Sequence, residues 1–214
     1  KGVTIYRDGC RDGVLTRVDD DADDGDSTQI ADNHAPKRPK ELPCDIHRAS
    51  VKGEQYVVLV GLMGDRPYEI FCGLSKQIEI PRKVKHGMLI KNGKVNGVAT
   101  YNLRIPIGDD DELLLKNVVD IFDNPVHGAF TRTLSLSLRH GVPVQYVVEQ
   151  LRKDKNSDIT SFNRVVARIL SKAYIADGTS AVTFEKKCTE CGGTNLAYQG
   201  GCVTCMDCGN SKCG

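Results

Sequence analysis

Six of the nine cysteines in this chain lie in its last 27 residues, CTECGGTNLAYQGGCVTCMDCGNSKCG. Cysteines at such short spacing do one of two things: their thiolates close on a soft metal ion, or they trade electrons as a dithiol. Cys188-x-x-Cys191 followed by Gly192-Gly193 has the form of a metal-binding knuckle. Its tight turn aims both sulfurs at one point, and glycine lets backbone amides approach them. A second knuckle downstream would complete a tetrahedral zinc ribbon.

The second pair can be drawn in two ways, because Cys202, Cys205 and Cys208 follow one another at equal spacing. If Cys205 and Cys208 are the ligands, Gly209 mirrors the first knuckle, and Cys202 and Cys213 are left over. If Cys202 and Cys205 are the ligands, the remainder is Cys208 and Cys213. Those two thiols, on a Gly-Asn-Ser-Lys segment, can close a disulfide without disturbing the metal, and Lys212 favours the Cys213 thiolate. Knuckle geometry favours the first scheme and redox logic the second. The working assignment puts zinc on Cys188, Cys191, Cys202 and Cys205, with Cys208 and Cys213 as the redox pair; the Cys205/Cys208 scheme stays open beside it. Outside the tail, Cys72 reads as a small core residue of a strand, and Cys10 and Cys44 lie in connecting segments with no partner in sequence.

The elements that must position these thiols follow from periodicity. Residues 55–63 (QYVVLVGLM), 67–73 (PYEIFCG), 86–92 (HGMLIKN) and 95–105 (VNGVATYNLRI) favour strands, with turns at Gly64-Asp65 and Asn92-Gly93. Residues 109–122, 125–139, 142–153 and 161–174 read as helices. In the last, Phe162, Val165, Val166, Ile169 and Leu170 recur at spacings of three and four. Pro125 and Pro143 suit helix starts and Gly141 a helix end. Strands followed by helices imply an α+β domain, an antiparallel sheet with a helical half, and then a small zinc ribbon. The ribbon has few large apolar residues, so it needs a metal or disulfides to fold.

The bulk numbers exclude little. Net charge is +1, so no global field points to nucleic acid or an anionic membrane. Residues 18–26 (VDDDADDGD) are acidic, Lys37, Arg38 and Lys40 are basic, and the stretch around them lacks hydrophobic periodicity, as expected of a linker. No apolar run is long enough to span a bilayer and none has the pattern of a signal peptide, so the expected location is cytoplasmic, with no membrane partner. From Cys188 onward the only cation is Lys212, against Glu190 and Asp207, and Tyr198 is the only aromatic residue. A nucleic-acid-binding zinc ribbon, the rival reading, would want a richer basic and aromatic face.

Several motifs in order carry a resemblance to a known family. KGVTIYRDGCR, KRPKELPCDIH, GDRPYEIFCG, FTRTLSLSLRHGVPVQYVVEQL and GCVTCMDCGNSKC together resemble the C-terminal portion of adenosylcobalamin-dependent (class II) ribonucleotide reductases. The resemblance implies four segments: residues 1–12 as the last strand of the catalytic barrel, 13–41 as a linker, 42–178 as the α+β accessory domain, and 186–214 as the zinc ribbon and redox tail. It further implies a role in a vitamin B12-dependent ribonucleoside-diphosphate reductase that supplies deoxyribonucleotides for DNA synthesis. In that chemistry a thiyl radical abstracts a ribose hydrogen and two active-site cysteines end as a disulfide. A C-terminal dithiol then reduces this disulfide and is regenerated by a thioredoxin or glutaredoxin-like reductant. The Cys208/Cys213 spacing matches reductase tails. Tyr6, on the barrel strand, is placed near substrate. The rest of the barrel, with the cobalamin and nucleotide sites, has no counterpart in this sequence. The chain alone is therefore expected to be inactive, as a fragment or as the small subunit of a split reductase that joins the barrel in cis or in trans.

Overall fold

A computed structural model describes residues 34–108, 111–181 and 187–212. Tyr6, Cys10, Cys213, the expected barrel strand and most of the expected linker lie outside the described residues. Among the described residues no helix is long and apolar enough to cross a membrane.

The framework is one six-stranded antiparallel sheet. It comprises β1 (Glu41–Val51), β2 (Glu54–Met63), β3 (Arg66–Leu74), β4 (His86–Val95), β5 (Val98–Pro106) and β6 (Glu112–Leu115), in the order β3-β2-β1-β4-β5-β6. Strand β2 is apolar on successive residues because both its faces are covered: Val57 and Leu59 face one core, Val58 and Val60 the other. Its hairpin to β3 turns at Gly64 (φ 60°), as the sequence indicates.

Three sequence expectations need correction. Strand β1 sits in the middle of the sheet, where sequence reading saw a connecting segment around Cys44. Leu42, Cys44 and Ile46 alternate inward with period two, but Pro43 and Asp45 between them hide the pattern. Pro43 is tolerated because pairing with β2 begins only at Cys44. Of the two Asn-Gly pairs in this region, the turn forms at Asn96-Gly97 (φ 50° and 80°), as a primed hairpin turn requires. The expected turn at Asn92-Gly93 is instead an irregularity inside β4, where the register with β5 shifts between Lys91 and Lys94. Finally, the helix expected over 109–122 is replaced by the short strand β6 and, after it, a single helical turn α1 (Val118–Ile121). Leu113 and Leu115 turn to the core while Leu114 is 45 % exposed, a period of two rather than 3.6.

The other helices form as expected: α2 (Pro125–Arg139), α3 (Val144–Arg152) and α4 (Phe162–Tyr174). Asn124 caps α2 by accepting from the amides of Val126 and His127. Gly141 (φ 81°) ends it in a left-handed residue, with the Val142 amide reaching back to the Ser137 carbonyl. Together these helices pack Leu134, Leu138, Val147, Val148, Val165, Val166 and Leu170 against one sheet face. Ser135 of α2 accepts from the Ile70 amide of edge strand β3 at 2.9 Å, satisfying a donor the ladder leaves over. The opposite face is closed by Ile78, Val118 and Phe122; the Phe122 ring lies where a side chain on Gly73 would be.

The tail forms a second antiparallel sheet of β7 (Leu196–Gln199), β8 (Cys202–Cys205) and β9 (Ser211–Lys212). It borrows a core rather than standing apart. Tyr198 is fully buried among residues of α3 and α4. Residues 178–181 pair with β7: Gly178 donates to the Tyr198 carbonyl, Tyr198 to Thr179, and Ala181 to Leu196, all at 2.8–2.9 Å. The Gly200-Gly201 turn then seats on α4, and Arg152 donates to the Gly201 carbonyl at 3.2 Å and to Ser171 Oγ at 3.0 Å.

Candidate metal centre

Four sulfurs converge at the outer end of the small sheet. The Sγ atoms of Cys188, Cys191, Cys205 and Cys208 all lie within 4.8 Å of one another, with Cys188–Cys208 at 3.7 Å and Cys191–Cys205 at 3.6 Å. A zinc–sulfur bond of about 2.3 Å in a tetrahedron gives sulfur–sulfur edges of about 3.8 Å. These sulfurs therefore stand close to the positions of a tetrathiolate site and could hold a metal ion.

Two matched turns build the quartet. In the first, the Gly192 amide donates to the Cys188 carbonyl and Gly192 takes φ 72°. In the second, the Gly209 amide donates to the Cys205 carbonyl and Gly209 takes φ 78°. Both conformations favour glycine, which sets the Cys-x-x-Cys-Gly spelling of each knuckle. Amides then aim at sulfur: Glu190 N–H at Cys188 and Gly193 N–H at Cys191, each at 3.4 Å, with the Asn210 side chain 3.8 Å from Cys188. Such donors steady metal-bound thiolates.

The same contacts order the ionisation of the thiols. The backbone at Cys191 and Glu190 brings Cys188 down to about 6, making it the readiest thiolate. The Asn210 amide works to lower Cys208, but its neighbouring sulfurs, Cys191 first, push it up to about 12. Crowded thiols resist a second negative charge unless a cation joins them.

Of the four ligands expected from sequence, Cys188, Cys191 and Cys205 are brought together and Cys202 is not. The fourth place belongs to Cys208, which was expected as half of the redox pair. Strand geometry gives the reason. Cys202 and Cys205 are the two ends of β8, and residues three apart on a strand point to opposite faces. Cys205 and Cys208 are joined by a turn, which folds both sulfurs to one side. Cys202 is half-buried and disulfide-bonded. The cluster therefore has Cys208 in the place expected of Cys202, and Cys202 lies outside it. Sequence reading carried the needed signal in Gly209, the second knuckle glycine.

The other described cysteines are packed and inert. Burial pushes Cys72 up to about 12 and also raises Cys44, which lies within β1 rather than in an exposed linker.

Fold and site together define an α+β accessory-type domain with a docked, four-cysteine tail able to hold a metal ion. Residues 42–176 match the NrdJ homologue C-terminal domain, and the chain belongs to that family. It is thus a C-terminal portion related to NrdJ, the class II ribonucleotide reductase, as its motifs imply. The matched span takes in the large sheet and its helices and stops before the cysteine cluster. No curated protein and no solved structure matches the chain.

Proposed function

We propose that this chain is the C-terminal component of an adenosylcobalamin-dependent ribonucleotide reductase, in which a tail dithiol relays electrons to the active-site disulfide. Family membership supplies the reductase setting. The observation that carries the relay is that Cys202 stands outside the four-sulfur cluster as a disulfide. Zinc suits the cluster best: the donors are all soft sulfur, the Cys188–Cys208 and Cys191–Cys205 separations suit the edges of a tetrahedron, and a four-thiolate site is closed to substrate and so structural.

With Cys188, Cys191, Cys205 and Cys208 committed to metal, the relay pair is Cys202 with Cys213, the one other cysteine of the tail. The Cys213 thiolate, favoured by Lys212, attacks one sulfur of the active-site disulfide and releases the other as a thiolate. Cys202 then attacks the mixed disulfide, closing Cys202–Cys213 and freeing the second active-site thiol. Two electrons and two protons pass to the active site, and a thioredoxin or glutaredoxin-like dithiol reopens the tail. Adenosylcobalamin, held by the catalytic barrel, supplies the radical chemistry. In this reading Tyr6 is a substrate contact, as the resemblance implies, and the assembly works in the cytoplasm.

The test is a Cys202→Ser or Cys213→Ser variant of the reductase that contains this chain. Turnover driven by thioredoxin should fall at least about tenfold, while turnover driven by dithiothreitol, which reaches the active site directly, is kept. Unchanged thioredoxin-driven turnover in both variants would sink the relay.

A further inference from the structure

A cavity of about 520 Å³ opens between the ends of α3 and α4 and the first cysteine knuckle, a size usual for small-molecule sites. Four cations reach it from separate parts of the chain: Arg152 from α3, Lys155 from the loop after it, Arg164 from α4, and Lys187 from the tail. Lys153 and Lys212 line it as well, and Glu149 is the one described carboxylate on its wall. A zinc tetrathiolate would bring two negative charges beside it, through Cys188. Even so, the first four cations outnumber those charges and Glu149 combined.

The polar groups inside are unsatisfied in a particular way. Arg152 spends its terminal nitrogen on Ser171 Oγ and the Gly201 carbonyl, and Arg164 on the Asp154 carbonyl. These partners are all neutral, and among the described residues neither guanidinium forms an ion pair. The Nε atoms of both are buried without an acceptor. Tyr198, which borders the cavity, is 0 % exposed, yet its buried hydroxyl has no partner. Glu149 Oε1 is likewise buried without a donor. Leu196 and Val203 supply an apolar wall.

An occupant that meets all these groups must carry several anionic oxygens for the guanidinium and ammonium donors. It must also carry a hydroxyl or amino donor for Glu149, and a flat apolar part for Leu196 and Val203. We propose that this cavity binds a nucleotide: its phosphates lie on Arg152, Lys155, Arg164 and Lys187, and its ribose or base donates to Glu149 beside the Tyr198 hydroxyl. The proposal does not depend on the electron relay, although Val203 and Lys212 on the cavity wall adjoin Cys202 and Cys213, so either can fail without the other.

The test is calorimetric titration of the full, reduced, zinc-loaded chain with ATP, inorganic tripolyphosphate, adenosine and a single-stranded oligonucleotide. ATP should bind most tightly. An Arg164→Ala, Lys155→Ala double variant should weaken it at least about tenfold. Glu149→Gln should weaken ATP several-fold and leave tripolyphosphate unchanged. Tyr198→Phe, which keeps the buried ring, should weaken ATP without altering the thermal midpoint. Tripolyphosphate binding as tightly as ATP would overturn the nucleoside half of the site. A tighter oligonucleotide would reassign the cations to nucleic acid and overturn the proposal. No heat from any probe at about 1 mM would leave only counter-charges for the metal centre, and the proposal would fall.

Discussion

Gly201 lies flat against Lys172: a Cβ on Gly201 would stand 2.7 Å from the Lys172 Cα and 2.9 Å from its amide nitrogen. This contact is the seat of the tail on α4, one residue before Cys202. Gly201 also takes φ 83°, which other residues rarely adopt. Gly201→Ala therefore meets two obstacles and should cost about 2–4 kcal/mol. Gly200→Ala has positive φ (55°) but open space around its Cβ, and should cost only about 1 kcal/mol. Urea denaturation of both variants checks this ordering; equal costs would mean that the tail is not seated on α4.

Glu69 is the electrostatic pin of the sheet. It is fully buried and paired with Arg38 at 2.6 Å and Arg139 at 3.2 Å, the Arg38 side chain being only 6 % exposed. Removing the carboxylate strands two guanidinium groups, one of them well buried. Glu69→Ala should lower unfolding free energy by about 3–5 kcal/mol. A loss below about 1 kcal/mol in equilibrium denaturation would mean that the arginines find other partners.

Two histidines make stability depend on pH in a defined window. Burial lowers His47, whose Nε2 lies 2.8 Å from the Tyr174 hydroxyl, itself donating to Asp45 at 2.8 Å. With the phenol proton given to Asp45, His47 must donate from Nε2. Burial also lowers His127, stacked on Phe162 at 3.9 Å between ring centroids. Both therefore hold protons more weakly folded than unfolded, where the value is about 6.5. Stability is full above that value. It falls as pH drops from about 6.5 through the lowered folded values, by at most about 1.4 kcal/mol per pH unit for each histidine. Unfolding at pH 7.5, 6.5 and 5.5 should show this slope, and a His47→Gln, His127→Gln variant should flatten it. Stability that rises towards pH 5.5 would contradict the reading.

Much of this was legible in sequence, for reasons particular residues show. Helix α4 declares itself through three-and-four spacing, and the starts of α2 and α3 and the end of α2 through Pro125, Pro143 and Gly141. β1 hides because its buried Leu42, Cys44 and Ile46 are interleaved with a proline and a carboxylate. The residues 109–122 misled because the Leu113–Leu115 run suits either period, and only pairing with β5 selects the strand. The cysteine cluster was readable to three ligands of four. The fourth, Cys208, stood in the alternative scheme through Gly209, and what decides between the two schemes is that Cys202 and Cys205 are the two ends of β8. Charge around the tail is hidden for a different reason: Arg152, Lys155 and Arg164 join its cavity from α3, the loop after it and α4, more than twenty residues upstream, which no count along the tail can see.

The most direct measurement is a map of cysteine reactivity in the zinc-loaded chain. The protein would be alkylated briefly under native conditions before and after mild reduction, and the modified residues identified by mass spectrometry alongside a metal count. One zinc per chain is expected, with Cys188, Cys191, Cys205 and Cys208 protected throughout. Cys202 and Cys213 should become labelled only after reduction. Rapid labelling of Cys208 with protection of Cys202 would restore the other ligand set and contradict the assignment of both the metal centre and the relay pair.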